Sequence, residues 1–238
     1  MEWFEDWFNT PYYHLLYRDR DHLEAESFIE NIAQYSALKK GQRVLDLPCG
    51  KGRHAIFLHA RGLDVTGVDL AMSNIEAAQK FEKPNLRFFV HDMRNPLTER
   101  YDVVFNFFTS FGYFKSESEN QKAFGNLADA VATGGMLLID FINVEKLSRN
   151  LVADEVVQRG DLAFHLTRRI RDGFISKTIK FTDRGRRYAY EERVKYLTVT
   201  DFKRYLKPTG LSLKKLFGSY DLKAFDEKNS DRLIILAH

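Results

Sequence analysis

Short apolar runs alternate with amphipathic segments through the first 150 of the 238 residues. Helices are predicted between the apolar runs. The segments Ser73–Glu76 and Ser118–Gln121 have the sequence of capping boxes and are predicted to start two of these helices. Alternation of this kind predicts a parallel sheet with helices on both faces. The strands are predicted at 44–47, 64–68, 86–90, 101–107 and 136–141, and the helices at 21–37, 53–61, from 73 onward, and from 118 to a stop at 134–135.

A different periodicity begins after residue 150. Apolar and polar residues alternate singly there, and turn sequences at 172–173 and 183–185 separate the alternating runs, a pattern typical of antiparallel hairpins. We therefore expect an antiparallel β-meander over 151–197, inserted into a core formed by 1–150 and 198–238. The core resumes with a helix at 200–206 and strands at 211–217 and 233–237, and residues 1–20 form an aromatic-rich arm.

Composition limits the classes of protein to which the chain can belong. Hydrophobic residues make up 44% and the formal net charge is only +3, which favours a globular α/β domain and gives no indication of a nucleic-acid partner. A single cysteine, Cys49, excludes an internal disulfide bond. We find no signal peptide and no apolar run approaching the roughly 20 residues of a membrane span, so the expectation is a cytoplasmic monomer or homodimer with no membrane partner.

The turn after the first strand carries two glycines, Gly50 and Gly52, in the run Leu45-Asp-Leu-Pro-Cys-Gly-Lys-Gly. Glycine lets backbone pass close to a ligand, and the start of a helix offers free N–H groups. The spacing Gly50-x-Gly52-x-x-Ala55 also matches the dinucleotide fingerprint. The turn alone therefore leaves a NAD-dependent oxidoreductase open.

Three acidic residues follow three successive strands. Asp46, Asp69 and Asp92 end the first three strands, so all three are expected at the carboxyl edge of the sheet, where such folds bind ligands. A carboxylate at position 46 would attract an ammonium group and repel a pyrophosphate. Asp69 can accept hydrogen bonds from ribose hydroxyls, and Asp92 from an adenine amine. Together these acids favour a ligand with an amine, a ribose and an adenine but no phosphate.

At these residues the sequence resembles the class I S-adenosylmethionine-dependent methyltransferases. Residues 44–52 are similar to their first motif, with Pro48 where glycine is more common, and 65–70, 91–94 and 101–106 are similar to later motifs. The resemblance implies a Rossmann-like seven-stranded sheet that is mostly parallel, with the last strand antiparallel, and S-adenosyl-L-methionine as cofactor, converted to S-adenosyl-L-homocysteine. It implies a cofactor site formed by Tyr13, Asp46, Pro48, Gly50, Gly52, Asp69, Leu70, Asp92, Met93 and Asn106.

The resemblance is closer to one branch of small bacterial enzymes with a β-insertion after the fifth strand. Residues 52–55, 109–114, 218–221 and 230–233 carry it, and the segment 12–17 resembles one that packs over the cofactor in that branch. It implies that the sulfonium methyl is transferred to an N or O nucleophile of a small molecule, in a site covered by the insertion.

Catalysis is expected to depend mainly on alignment, because a sulfonium methyl is already activated. Tyr13, His14 and Tyr113 are the catalytic candidates, and Phe108, Phe111 and His165 are the substrate-binding candidates. His54 and His165 remain open as further bases. No cluster has metal-ligand spacing, so no metal is expected.

Other interpretations remain open from the sequence. A non-catalytic cofactor-binding module and an RNA methyltransferase are alternatives, the second disfavoured by the charge and by the segment 106–109. The arginines at 168–171 and 184–187 are interpreted as a solvated face, because alternating strands would divide them between two faces.

Overall fold

The computed structural model describes residues 3–18 and 22–238. The first residues of the predicted arm and the first residue of the predicted helix at 21–37 therefore lie outside the described residues. That helix is observed as α3, His22–Tyr35. Its apolar residues Phe28, Ile29 and Ile32 are buried against the main sheet.

Seven strands form the main sheet, which has the order β10-β11-β5-β4-β1-β2-β3. Neighbouring strands among β1 to β5 pair in parallel, whereas β11 is antiparallel to both β5 and β10. The predicted Rossmann-like sheet with an antiparallel last strand is confirmed. The strands, numbered in chain order, are β1 Arg43–Asp46, β2 Asp64–Asp69, β3 Leu86–Val90, β4 Tyr101–Asn106, β5 Val131–Ile142, β10 Leu213–Phe217 and β11 Arg232–Ala237.

Helices cover both faces of this sheet. Successive residues of β1 enter different clusters, because side chains alternate across a strand: Val44 packs with residues of α3, α4 and α5, and Leu45 with residues of α6 and α8. None of the helices within 3–18 and 22–238 is long and apolar enough to cross a membrane. Besides α3, the helices that follow the arm are α4 Arg53–Ala60, α5 Met72–Gln79, α6 Glu117–Asp129, α7 Val144–Arg149 and α8 Val199–Leu206.

A four-stranded antiparallel sheet with the sequential order β6-β7-β8-β9 lies between α7 and α8. This is the predicted β-meander. One of its faces packs Phe164, Leu166, Ile179 and Phe181 against Trp7 and Leu16 of the amino-terminal arm. The elements are β6 Asp154–Arg159, β7 Leu162–Arg171, β8 Phe174–Asp183 and β9 Arg186–Lys195, with α1 Trp3–Trp7 and α2 Pro11–Leu16 in the arm.

Three predicted boundaries were wrong. Helix α6 is capped by Ser116, whose side chain accepts from the amide of Glu119, and α5 follows Ala71 without a side-chain cap, so neither predicted capping box starts its helix. Residues 134–135 do not end α6. They lie within β5, in a bulge between the pairs Tyr101–Val131 and Val103–Met136, because strand pairing with β4 begins before the glycines.

Gly52 permits a close contact between the turn and β3. Its φ is +82°, and a Cβ atom at this position would lie 2.7 Å from the ring of Phe88 and 3.1 Å from the Cβ of Ala78. We expect Gly52→Ala to destabilise the protein by about 2–4 kcal/mol, through left-handed strain and overpacking. Urea unfolding would measure the change.

Gly125, inside α6, is the matched control, since a Cβ atom there meets nothing within 4 Å. Gly125→Ala should stabilise the protein by about 0.5–1 kcal/mol, because alanine is the better helix former. Equal effects of the two alanine substitutions would contradict this account of the turn.

Candidate active site

A cavity of about 760 Å³ opens beside the carboxyl ends of β1, β2 and β4, a volume typical of small-molecule sites. Its walls come from three parts of the chain. The core contributes Pro48, Gly50, Asp69, Phe108 and Tyr113, the amino-terminal arm contributes Trp3, Phe8, Tyr13, His14 and Tyr17, and the meander contributes Arg168, Ile175, Lys177, Glu192 and Val194. The arm and the meander thus add walls to a cavity whose floor lies at the edge of the main sheet.

The glycine turn forms the floor of the cavity at β1. Gly50 has φ +56°, and a Cβ atom built on it would meet nothing within 4 Å. Its amide donates to Oδ2 of Asp69 at 2.9 Å, which fixes the turn against the end of β2. Backbone is therefore exposed to the cavity at a position where the left-handed conformation favours glycine.

Asp69 is buried and lines the cavity. Besides Gly50, the amide of Ala71 donates to its Oδ1 at 2.8 Å, and Nδ2 of Asn74 lies 3.4 Å from the same oxygen. Burial raises the pKa of this carboxyl, and the three N–H groups offset part of the increase. Because these donors hold the carboxylate in place, it is preorganised as an acceptor at the edge of the cavity.

Asp46 is 1% exposed and lies behind the turn. Among the described residues, neither of its carboxylate oxygens has a hydrogen-bond partner, an arrangement that is rare in native proteins. Burial first and the neighbouring Asp69 second raise the pKa of Asp46 to about 8, against opposing effects of Arg53 and the Ala55 amide. The carboxyl is therefore either protonated near neutral pH or charged opposite a cation.

Asp92 does not present a free carboxylate. Arg94 donates to both of its oxygens, at 2.6–3.1 Å, and the Arg94 amide donates to Oδ1 at 2.9 Å. Burial works against the charged form, but these hydrogen bonds prevail and hold the pKa of Asp92 below its usual value. In the ligand-free structure the carboxylate of Asp92 is thus paired with Arg94, and its predicted contact with an adenine amine stays a prediction.

Three further predicted cofactor residues lie beside the cavity without lining it. Asn106 is fully buried; its Nδ2 donates to the carbonyl of Leu47 at 2.8 Å, and its Oδ1 is one of the unpartnered buried atoms of the described chain. Leu70 and Met93 are partly buried against the core.

All three predicted catalytic residues line the cavity. The Tyr113 hydroxyl donates to the carbonyl of Thr109 at 2.6 Å. The rings of Tyr13 and Phe8 lie 4.9 Å apart, and those of Tyr113 and Phe8 5.8 Å apart. Burial, and secondarily the positive charge of Lys51, lower the pKa of His14, so its imidazole is neutral at pH 7.

Of the predicted substrate residues, only Phe108 lines the cavity, where its ring stacks on His54 with centroids 4.8 Å apart. Phe111 is fully buried and packs on Phe124 instead. His165 is exposed on the outer face of the meander, because Phe164 and Leu166 on either side of it take the inner face. Neither of these two residues lines the cavity.

Sequence reasoning missed the part of the wall that the meander supplies. Arg168, interpreted from sequence as solvated, lies on the cavity side and pairs with Glu155 at 2.6 Å. Its even-numbered position, shared with Phe164 and Leu166, is the signal that could have placed it on the inner face. Lys177 and Glu192 continue the same row across β8 and β9.

Comparison with known proteins agrees with this geometry. Residues 44–135 match a protein family described as a methyltransferase domain. A putative methyltransferase of Geobacillus sp. (strain WCH70) is 29% identical over 51% of each chain. A dTDP-3-amino-3,4,6-trideoxy-α-D-glucopyranose N,N-dimethyltransferase of Streptomyces venezuelae is 26% identical over 68% of this chain and 69% of that one.

Among solved structures, an S-adenosylmethionine-dependent methyltransferase of Clostridium acetobutylicum superposes with a TM-score of 0.80 at 22% identity, over 95% of both chains. Residues 44–135 thus match a methyltransferase domain, as predicted, and the chain shares the fold of that S-adenosylmethionine-dependent methyltransferase. The chain spans about half the length of the first curated relatives it matches.

The raised pKa of Asp46 makes stability depend on pH. The folded protein retains a proton that an unfolded aspartic acid, with a pKa near 3.9, releases, so unfolding becomes easier as pH rises from about 4 to 8, by at most about 1.4 kcal/mol per pH unit. Asp46→Asn removes this contribution, and its stability relative to the wild type should increase over the same range. Thermal unfolding of the ligand-free proteins at several pH values would measure it.

Asp64→Asn is the control, since Asp64 lies at the other end of β2 and pairs with Arg87. A pH slope that Asp46→Asn leaves unchanged would contradict the assignment of the raised pKa to Asp46.

Proposed function

We propose that this protein transfers the methyl group of S-adenosylmethionine to a nitrogen or oxygen nucleophile of a small molecule. The observation that carries the proposal is the unpaired, buried carboxyl of Asp46 beside Asp69 and the open Gly50 turn, within the methyltransferase domain. An ammonium group would satisfy the charge that Asp46 otherwise cannot hold.

The residues present fit the cofactor. Asp46 would hold its ammonium, Asp69 its ribose hydroxyls, and the bare backbone at Gly50 would allow close approach. The free acceptor of Asn106 and the ring of Tyr13 complete the proposed site, with Pro48, Gly52, Leu70 and Met93 supporting it. Asp92 would reach an adenine amine only beside its present partner Arg94, so we give it no part in the tests.

The bound cofactor supplies an electrophilic methyl group on a sulfonium. The protein orients the acceptor and excludes water. The walls that the arm and the meander add to the cavity contribute to both effects. His14 is the proposed base: it lines the cavity and its lowered pKa keeps the imidazole neutral, able to take a proton from an acceptor. Tyr13 and Tyr113 are proposed to position the acceptor.

The cavity volume of about 760 Å³ is typical of small-molecule sites, which favours a small acceptor over a macromolecule. The Streptomyces relative is named for an amino sugar, which supports including amines in the test. An oxidoreductase is disfavoured, because Asp46 and Asp69 would place two carboxyls near a pyrophosphate.

S-adenosylmethionine and S-adenosylhomocysteine should both raise the thermal midpoint, and NAD should not. Asp69→Ala should remove most of the increase, because the ribose hydroxyls would lose their acceptor. Thermal unfolding at saturating ligand measures both effects, and Asp129→Ala, at the exposed last residue of α6, is the control. Stabilisation by NAD alone would overturn the proposal.

Incubation with labelled S-adenosylmethionine and a panel of small amines and hydroxy compounds then tests transfer itself. Binding without transfer to any acceptor would support a non-catalytic cofactor-binding module instead.

His14→Gln should lower kcat about 10²-fold, the contribution typical of a positioned base, with little change in S-adenosylhomocysteine affinity. In the wild type the ascending limb of the pH profile for kcat should lie below the ordinary histidine pKa of about 6.5. A pH profile that stays the same in His14→Gln would exclude His14 as the base.

A further inference from the structure

The acceptor loop, residues 107–110, follows β4 and has a strained backbone. Phe108 and Thr109 have φ values of +60° and +58°, and consecutive non-glycine residues in the left-handed region are costly unless their surroundings hold them there. All four residues of the loop line the cavity. The strain therefore lies in the wall of the proposed acceptor site.

Asp140, at the carboxyl end of β5, holds this loop from behind. Its side chain is fully buried, its Oδ2 accepts from the Phe108 amide at 2.8 Å, and its backbone carbonyl accepts from the Thr109 amide at 2.9 Å. One residue thus binds the amides of both strained positions.

The carboxyl-terminal part of the chain completes the arrangement. Nε of Arg232 donates to Oδ1 of Asp140 at 2.8 Å, and a second guanidinium nitrogen donates to the Thr109 hydroxyl at 2.9 Å. The Tyr220 hydroxyl donates to Oδ2 of Asp140 at 3.1 Å. Arg232 and Tyr220 also line the cavity. These three side chains, Asp140, Tyr220 and Arg232, are called the loop clamp.

The clamp lies where it can affect the reaction. Phe108 carries its ring against His54, and the Thr109 carbonyl accepts from the Tyr113 hydroxyl. Both side chains face the proposed acceptor, so a shift of the loop would move both. A buried ion pair does not by itself make a protein more stable than apolar side chains of similar volume would. The Asp140–Arg232 pair is therefore better explained by its orientation of this wall than by a contribution to stability.

We propose that Asp140 is a positioning residue for methyl transfer, which fixes the acceptor loop by direct hydrogen bonds and together with Arg232 and Tyr220. The inference rests on the proposed function for its catalytic consequence, but the restraint on the loop can be measured without turnover.

Hydrogen exchange followed by mass spectrometry tests the restraint. In Asp140→Asn and Arg232→Gln, exchange at the amides of residues 108 and 109 should accelerate by at least about tenfold, while β4 and α6 keep their protection. Tyr220→Phe removes one hydroxyl and should give a smaller acceleration, which keeps the test decisive if Asp140→Asn does not fold. Asp231→Asn, which breaks only the exposed pair with Lys146, is the control.

Kinetics then separate positioning from general structure. With an acceptor that the panel identifies, Arg232→Gln should lower kcat at least about tenfold while the affinity for S-adenosylhomocysteine stays within about threefold. In the double variant Arg232→Gln with Thr109→Gly, glycine relieves the left-handed strain, and exchange protection should partly return.

Unchanged exchange at residues 108 and 109 in both Asp140→Asn and Arg232→Gln would overturn the inference. Equal losses of cofactor affinity and kcat in Arg232→Gln would also overturn it. Failure of the wild type to bind S-adenosylhomocysteine would instead reject the proposed function and leave the exchange result to be judged separately.

Discussion

The site depends on a carboxyl group that the fold buries without a partner. Asp46 ends the interior strand β1, flanked by β2 and β4, and its two oxygens have no hydrogen-bond partner among the described residues. Asp69 adds a second buried acid nearby. A buried carboxyl without a hydrogen-bond partner, as at Asp46, destabilises the ligand-free protein. A cation delivered by a ligand would remove that cost, which links the stability of the fold to occupancy of the cavity.

The other walls are arranged around this centre by contacts between distant parts of the chain. Glu192 of β9 accepts from the indole N–H of Trp7 at 2.7 Å and from the Tyr17 hydroxyl at 2.6 Å, and it pairs with Lys177 at 2.5 Å. The amino-terminal arm and the meander are thus joined to each other by a polar contact at the cavity. From the opposite side, Asp140 and Arg232 fix the loop after β4. The cavity is therefore shaped by elements that the core sheet alone would not bring together.

The sequence predicted the order of strands and helices because both hydrophobic periodicities are strong in this chain. It also placed Asp46, Gly50 and Asp69 correctly at the edge of the sheet, since the ends of parallel strands meet there. It did not show which hydrogen-bond partners a carboxylate would have in the ligand-free protein. Asp92 follows a strand as expected, and Arg94, two residues later, pairs with it.

The directions of two candidate side chains, Phe111 and His165, also differ from what the sequence analysis expected. Phe111 follows β4 closely but turns into the core, and His165 lies on the outer face because the alternation of β7 places its neighbours inside. The loop clamp could not be predicted from sequence, because Asp140, Tyr220 and Arg232 are far apart along the chain. Two of its members were visible only as parts of the family-like tail at 218–221 and 230–233.

Proton release on cofactor binding tests the central claim most directly. Calorimetric titration with S-adenosylhomocysteine at pH 7, in buffers of different ionisation enthalpy, counts the protons exchanged. With a pKa of about 8 in the ligand-free protein, Asp46 should release nearly one proton when it meets the ammonium group, and Asp46→Asn should lose that release. Tight binding without any difference in proton release between the two proteins would contradict the account.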